Sequence, residues 1–313
     1  MNLQQIRYVV EVSRHGMNVS EAAEALFTSQ PGVSKQIRLL EEELGVDIFL
    51  RHGKRLVGLT DPGKQVLAIA ERMLRDQTNL RLVGEEFRHE DEGVLSIATT
   101  HTQARYALPP VIQRFMRAYP RVRLNLHQGS PTQVCEYVLS GEADIAIATE
   151  AIAENENLVM LPCYQWNRRV IAPKDHPILK AQPLTLEEIA RWPLITYDFA
   201  FTGRNQINKA CLGRGLKPNV VLTAIDSDVI KTYVALGLGV GILASMAFDP
   251  TADKNLGALE AGHLFESSTT RIGIRTGSLL RRYTFAFIEF FAPALSRKVV
   301  ESSLEGGGTD VGL

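Results

Sequence analysis

The sequence predicts an α/β protein with two lobes, preceded by an N-terminal all-α winged helix-turn-helix. Three observations predict this class. Two short amphipathic helices and a basic turn lie before residue 60, a seven-residue apolar repeat follows, and strand patterns alternate with helix patterns from residue 93. Repeated β-α-β units imply parallel sheets covered by helices, and their combined length of roughly 200 residues favours two lobes over one large sheet.

Composition excludes several other classes of protein. The 313 residues favour two or three domains, and fractions of 45% hydrophobic and 22% charged residues are those of an ordinary globular protein. A net charge of −1 means that any contact with nucleic acid must come from a local basic patch. The N-terminus lacks a secretory-signal pattern and no apolar run is long enough to span a bilayer, so we expect a cytoplasmic protein. Three scattered cysteines and seven scattered histidines predict reduced thiols and no structural metal.

Residues 18–45 have the pattern of two helices joined by a tight turn. Asn18-Val-Ser-Glu21 has capping-box spacing and opens an alanine-rich helix. The second helix spans SQPGVSKQIRLLEEELG (29–45), with Pro31 in its first turn and Gly45 as its stop. This arrangement is typical of a helix-turn-helix, although a small helical hairpin with one solvated face has the same pattern.

A basic turn follows, in which IFLRHGKRLVGLT (48–60) predicts two short strands around the tip of a wing. The outer face of the second helix and this wing supply the predicted DNA-binding residues: Ser29, Gln30, Pro31, Ser34, Lys35, Arg38, Lys54 and Arg55. Lys54 and Arg55 suit phosphate contacts, whereas Gln30, Ser34 and Arg38 could read base edges. Lys35 could contact phosphate equally well. We therefore predict a DNA-binding domain over residues 1–60.

Residues 61–89 predict a long linker helix that starts at Thr60-Asp61-Pro62. Its apolar positions repeat every seven residues at Val66, Met73, Leu80 and Phe87, with Ile69 and Val83 between them. Such a repeat predicts packing on a partner helix and therefore a dimer, with packing on the chain's own domain as the alternative.

Polar side chains follow two strands of the predicted α/β domain (93–300). IATTHTQARY (97–106) ends an apolar strand in a cluster of threonines, and ADIAIATE (143–150) ends another at Thr149. A helix start exposes unpaired N–H groups and a positive dipole end, and hydroxyl and amide groups add neutral donors. These residues predict an anion cradle, with a helix cap that binds no ligand as the alternative. His101 lacks an accompanying nucleophile or orienting acid, so we expect no catalytic role and no enzyme.

With these motifs the whole chain resembles the LysR-type transcriptional regulators, and within them the CysB subfamily. The second helix and wing are similar to the N-terminal signature of the family, and LGLGVGIL (236–243) is similar to a glycine-rich strand start in its second lobe. The segments that resemble the subfamily are ATTHTQARYALP (98–109), HQGSPTQ (127–133), ADIAIATE (143–150), VMLPCYQWNR (159–168), FTGR (201–204) and DVIKTYVALGLGVGILASMA (228–247).

The resemblance implies a fold, a function and partners. The effector domain would resemble periplasmic binding proteins, with lobe I at about 93–162 and 266–300 and lobe II at about 163–265, before a disordered tail at 301–313. The protein would be mainly an activator of sulfate-assimilation and cysteine-biosynthesis genes. Its implied partners are promoter DNA, RNA polymerase, further copies of itself in a dimer and a tetramer, and the effectors O-acetylserine or N-acetylserine, sulfate and thiosulfate. No cofactor and no membrane partner is implied.

The resemblance also implies the residues that hold the anion: Thr100, Thr102, Gln103, Thr149 and Thr202. Trp166 could line the same pocket or could pack in the core. Within the subfamily the alternative is a paralogue that controls sulfonate use during sulfate starvation. The alternative from another class is a periplasmic-type anion-binding transport protein or an enzyme, in which the helix-turn-helix and the linker helix would have no role.

Overall fold

The computed structural model describes residues 1–53, 55–86, 91–149, 155, 157–198 and 202–305, with the backbone alone at positions 82, 85, 86, 202, 203 and 205. The chain forms two compact units, Met1–Arg88 and His89–Leu313. Among the described residues, none of the helices is both long and apolar enough to cross a bilayer.

The first unit is a winged helix-turn-helix followed by a long helix. Its elements are α1 (Leu3–Arg14), α2 (Val19–Ala25), α3 (Gln30–Leu44), the antiparallel strands β1 (Phe49–His52) and β2 (Arg55–Leu59), and α4 (Asp61–Glu86). Asn18 caps α2 by accepting two backbone N–H groups of its first turn, and Ser29 caps α3. Gly45 ends α3 with a left-handed φ of 70°, a conformation that glycine adopts without steric cost. The helix-turn-helix predicted from residues 18–45 is therefore confirmed.

The core of the first unit is formed by α1, the two helices of the helix-turn-helix and the start of the wing. Val33, Ile37 and Leu40 of the predicted stripe on α3 are buried, whereas Leu44 at the end of the stripe is exposed. They pack with Val9 of α1 and Phe49 of β1. Because these side chains fill one face of α3, its polar face is left at the surface.

The apolar repeat of α4 divides between two environments. Val66 and Met73 pack against the core of the first unit, so the first half of the repeat covers the chain's own domain. Ile69 is exposed, and Leu80 is 75% exposed. Phe87, like the rest of the predicted linker beyond Glu86, lies outside the described residues. The prediction of a dimer through this helix now depends on its exposed apolar positions.

The second unit alternates strands with helices along the chain. Its strands are β3 (Gly93–Thr99), β4 (Val122–Gln128), β5 (Ile145–Ala148), β6 (Leu158–Trp166), β7 (Arg168–Pro173), β8 (Leu194–Tyr197), β9 (Val220–Ala224), β10 (Val240–Ala244), β11 (Leu256–Glu260) and β12 (Ser268–Arg275). Its helices are α5 (Leu108–Ala118), α6 (Pro131–Ser140), α7 (Leu186–Ala190), α8 (Thr202–Leu212), α9 (Ser227–Ala235), α10 (Arg282–Phe291) and α11 (Arg297–Glu305), with a π-helical segment at Gln103–Ala107 before α5.

The strands form two five-stranded sheets, each the centre of one lobe. The first lobe has the order β4-β3-β5-β12-β6 and the second has β11-β7-β10-β8-β9. In the first, β3 runs parallel to β4 and β5, and β12 runs antiparallel to β5 and β6. In the second, β8 runs parallel to β9 and β10, and β7 runs antiparallel to β10 and β11. Both sheets are therefore mixed, whereas the sequence predicted parallel sheets.

The boundary between the lobes lies later than the sequence predicted. Strand β6 keeps its pairing with β12 as far as Trp166, opposite Ser268, so residues 163–166 belong to the first lobe. The chain crosses to the second lobe at Asn167 and returns between β11 and β12. Arg168 joins the two crossings, because its Nη1 donates to the Glu266 carbonyl at 3.0 Å and its Nη2 to the Ser268 hydroxyl at 2.8 Å.

The predicted disordered tail, residues 301–313, begins as a helix instead. Helix α11 continues to Glu305, and Val300 and Ser303 are buried in it. Leu304 packs against the core of the first lobe, and this apolar contact stabilises helix where composition predicted disorder. Residues 306–313 lie outside the described residues.

Candidate functional site

The predicted DNA-binding residues share one face of α3. Gln30, Ser34 and Arg38 follow one another at four-residue spacing, and the Gln30 side-chain amide donates to the Ser34 hydroxyl at 3.3 Å. Ser34 is half-buried, and the others on the helix are exposed: Ser29, Gln30, Pro31, Lys35 and Arg38. This polar face fits a helix that enters the major groove of DNA.

The wing lies beside the same face. Gln30 of α3 and Arg55 of β2 line one groove of about 450 Å³, together with Asn18 and Ser20 at the start of α2. The exposed guanidinium of Arg55 is thus placed to contact a phosphate next to the helix. Lys54 lies outside the described residues, so its predicted role stays a prediction.

A buried carboxylate, which the sequence reasoning missed, connects α3 to the wing. Glu41 Oε1 accepts the backbone N–H groups of Ile48 and Phe49 at 2.9 and 3.2 Å, and its Oε2 accepts Arg51 Nη2 at 2.6 Å. Three glutamates follow one another here, and only the helical position of Glu41 beside Ile37 and Leu40 marks it as the buried one. Arg51 lies in the predicted basic wing turn, but its guanidinium binds Glu41 of the same domain.

In the second unit, β3 and β5 end at the same edge of the first sheet. Thr99 of β3 pairs with Ile147 of β5, and the Thr99 hydroxyl donates to the Ile147 carbonyl at 2.8 Å. Thr100 and the half-buried Thr149 follow these strands at that edge. The structure thus brings together two predicted anion ligands that are 49 positions apart in the sequence.

Thr100 offers a hydroxyl group at the start of a helical turn. Its side chain is 8% exposed, and its hydroxyl makes no hydrogen bond to any of the described residues. Its carbonyl accepts the backbone N–H of Ala104 at 3.0 Å, so the helical turn begins here. An unused hydroxyl donor beside a helix start is the arrangement expected of an anion site.

Gln103 and Trp166 differ from the other predicted ligands because they bind the same buried hydroxyl. Gln103 Nε2 and Trp166 Nε1 both donate to Thr270 Oγ1, at 3.0 and 3.1 Å. The Tyr164 hydroxyl donates to Gln103 Oε1 at 2.6 Å, and burial raises the pKa of Tyr164. The side chains of Gln103 and Trp166 are therefore fixed by hydrogen bonds within the first lobe, and these bonds support the turn that carries Thr100 and Thr102.

The second lobe faces this turn with a buried tyrosine at the end of β8. The Tyr197 hydroxyl shares a hydrogen bond of 2.6 Å with Ser227 at the start of α9 and accepts the Ala244 N–H at 3.4 Å. Burial raises the pKa of Tyr197, and hydrogen bonds from Ser227, the Ala244 backbone and Thr102 oppose the rise. Thr102 of the first lobe thus lies close to Tyr197 at the end of β8 in the second lobe.

The last predicted ligand is only partly described. Helix α8 begins at Thr202, but the Thr202 side chain lies outside the described residues, so its role as a ligand stays a prediction. Two residues further on, Arg204 is buried, and burial lowers the pKa of its guanidinium.

His101 lies near two carboxylates of the second lobe. One ligand atom each of His101, Asp226 and Asp228 lies within 4.8 Å of the others, the sole such group of three among the described residues. Asp226 caps α9, and Asp228 already accepts hydrogen bonds from Tyr106 and Arg105. We interpret the group as a polar contact between the lobes rather than as a metal site, because both carboxylates already accept hydrogen bonds.

Comparisons with known proteins agree with this architecture. Residues 3–64 match the bacterial regulatory helix-turn-helix of the lysR family, and residues 88–296 match the LysR substrate binding domain. The transcriptional regulator CysB of Burkholderia cenocepacia is 53% identical over 98% of this chain and 98% of its own length. The regulator SsuR of the same organism is 55% identical over 97% of this chain and 99% of its own. The crystal structure of the cofactor-binding domain of the Cbl regulator superposes with a TM-score of 0.66 at 46% identity, covering 68% of this chain and 93% of that one.

Proposed function

The chain belongs to the LysR family of transcriptional regulators, in the group that contains CysB, SsuR and Cbl, and on this premise we propose the genes and ligands on which it acts. It regulates, mainly as an activator, genes of sulfate assimilation and cysteine biosynthesis. O-acetylserine or N-acetylserine is its effector, and sulfate or thiosulfate binds in the cleft between the lobes.

The observation that carries this proposal is the environment of Thr100. Its hydroxyl makes no hydrogen bond to the described residues, at a sheet edge shared with Thr149 and one turn from the point where Thr102 lies close to Tyr197. A fully ionised oxyanion is stabilised by several neutral donors and a helix start, without a neighbouring cation. Thr202 at the start of α8 would add a donor from the second lobe.

Regulation follows from ligand contacts on both lobes. An effector acts only through its different affinity for two arrangements of the protein. A ligand held by Thr100 and Thr102 on one side and by the second lobe on the other favours one angle between the lobes. In a dimer or tetramer, that angle changes the spacing of the DNA-binding units and their contact with RNA polymerase.

Calorimetric titration of the protein with sulfate and thiosulfate tests the site. Thr100→Ala should weaken binding by about tenfold, because it removes a buried hydrogen bond to a charged ligand. Thr223→Ala, which removes an exposed hydroxyl on β9, is the matched control and should bind like the wild type. Wild-type affinity in Thr100→Ala would refute the site.

The choice between a cysteine regulator and a sulfonate regulator needs a separate test. Identities of 53% to CysB and 55% to SsuR do not distinguish the two. Titration with O-acetylserine, N-acetylserine and adenylyl sulfate does so, because the cysteine regulator should respond to the acetylserines. A stronger response to adenylyl sulfate would identify the sulfonate-type paralogue instead.

A further inference from the structure

Tyr106 reaches from the first lobe into the second. It lies in the π-helical segment Gln103–Ala107, and its ring packs against the core cluster of the second lobe that contains Tyr197 and Ile230. Its hydroxyl donates to Asp228 Oδ1, in the first turn of α9, at 2.6 Å. The segment that follows Thr100 and Thr102 is therefore anchored on the opposite lobe.

Asp228 is held in place by a network of charges. Lys231 Nζ lies 3.3 Å from Asp228 Oδ1 and 3.1 Å from Asp253 Oδ1, and Arg105 Nε lies 3.4 Å from Asp228 Oδ2. The same Lys231 Nζ is 5.2 Å from the centroid of the Tyr106 ring. Hydrogen bonds to an ionised, well-positioned carboxylate are about twice as strong as neutral ones, so the bond from Tyr106 is a strong contact between the lobes.

The other end of the segment is anchored on the first lobe. Gln103 binds Thr270 and Tyr164 there, while Tyr106, three residues later, binds the second lobe. π-helical turns are rare and occur frequently at functional sites, and this one separates the two anchors. This short turn therefore connects Thr100 and Thr102 directly to the second lobe, in addition to the two strand crossings.

We propose that Tyr106 is a positioning residue for the effector: through its bond to Asp228 it holds the second lobe against the turn that carries Thr100 and Thr102. This inference rests on the proposed function, because it takes the cleft as the effector site. A ligand that contacts both lobes binds more tightly when the two halves of its site are already aligned.

The test compares two tyrosines in the full-length protein. Tyr106→Phe keeps the ring and removes the hydroxyl, and calorimetric titration with sulfate and with O-acetylserine should show affinity about tenfold weaker for each. Tyr233→Phe is the matched control, because Tyr233 lies on α9 and its hydroxyl makes no hydrogen bond to the described residues. This control should bind both ligands like the wild type.

Hydrogen exchange separates positioning from general stability. Without added ligand, the amides of residues 100–108 should exchange faster in Tyr106→Phe than in the wild type, while the thermal midpoint of the whole protein stays close to that of Tyr233→Phe. Unchanged exchange in this segment would overturn the proposal.

A second variant tests the same bond from the other side. Asp228→Asn should also weaken the affinity for both ligands by about tenfold. It replaces the first variant if Tyr106→Phe does not fold. Adding Tyr106→Phe to Asp228→Asn should weaken ligand affinity by less than a further factor of about two, because the two residues act through one bond. A full additional tenfold loss would overturn the proposal.

The results distinguish this proposal from the assignment of the site. If Thr100→Ala weakens sulfate binding but Tyr106→Phe does not, the cleft is the effector site and the positioning role of Tyr106 is refuted. If neither variant changes the affinity for sulfate, the proposed site itself is wrong.

Discussion

Arg51 Nη2 lies 2.6 Å from Oε2 of the buried Glu41, so an arginine of the wing strand is paired with the last turn of α3. The same carboxylate also accepts two backbone N–H groups where the wing begins. A buried carboxyl group with three donors holds the wing at a defined distance from α3.

Glu41→Ala should lower the free energy of unfolding of the first unit by about 3 kcal/mol, because it leaves Arg51 and two amides without their partner. Chemical denaturation followed by circular dichroism measures the loss. Glu42→Ala, one position along at an exposed site, is the control and should change stability little. Equal stability of the two variants would contradict the role of Glu41.

The salt dependence of DNA binding should distinguish the role of the wing from the role of α3. Arg55→Gln should lower the slope of log affinity against log salt concentration by about one, because one phosphate contact is lost. Gln30→Ala should leave that slope unchanged and reduce the preference for the operator over random DNA. Fluorescence anisotropy with both DNAs at several salt concentrations gives both quantities. A change in slope from Gln30→Ala alone would reverse the two assignments.

Thr270→Val should destabilise the second unit by about 2–4 kcal/mol. Thr270 is buried, and valine would leave the donors of Gln103 and Trp166 without their shared acceptor. Urea denaturation measures the change, with the exposed Thr223→Val on β9 as the control. A loss no greater than that of the control would show that neither donor needs Thr270.

Tyr106 should make the protein less stable at alkaline pH. Burial raises its pKa to about 12, and the hydrogen bond to Asp228 adds to the rise. Since the folded state holds this proton more tightly than the unfolded state, the contribution of Tyr106 is complete below about pH 10 and is lost between about pH 10 and 12. The stability of Tyr106→Phe should therefore fall less steeply over this range than that of Tyr233→Phe. Parallel curves from denaturation at each pH would contradict this prediction.

The three cysteines should react slowly with alkylating reagents at neutral pH. Burial raises the pKa of Cys163 to about 12 and also raises the pKa of Cys135 and of Cys211, so little thiolate is present. Mass spectrometry after timed treatment with iodoacetamide should show three slow sites in the folded protein and rapid labelling in urea. Rapid labelling of Cys163 in the folded protein would contradict the burial described.

Local patterns predicted the parts of the fold that depend on neighbouring residues. Ser29 and Gly45 mark the two ends of α3 because capping requires residue types at fixed offsets. Thr100 and Thr149 were each predicted to follow a strand and to form part of one anion cradle, and the parallel pairing of β3 with β5 places both at the same edge of the sheet.

Other features depend on residues far apart in the chain, and local patterns contain no signal for them. Gln103 and Thr270 are separated by 167 positions, and their contact requires the order of strands in the first sheet. The bond from Tyr106 to Asp228 likewise requires the two lobes to be in place. The π-helical turn allows Gln103 to bind the first lobe while Tyr106 binds the second. The sequence predicted an ordinary helix start at this position.

The bonds of Arg168 to Glu266 and Ser268 also restrict how the lobes can move. Two unlinked connections between the lobes could slide past each other, but these two are joined by the hydrogen bonds of a buried side chain. Sliding of one connection along the other would break these two hydrogen bonds, whereas a rotation about both connections together would keep them. A ligand bound between the lobes, as proposed above, would then act on the rest of the protein through that rotation.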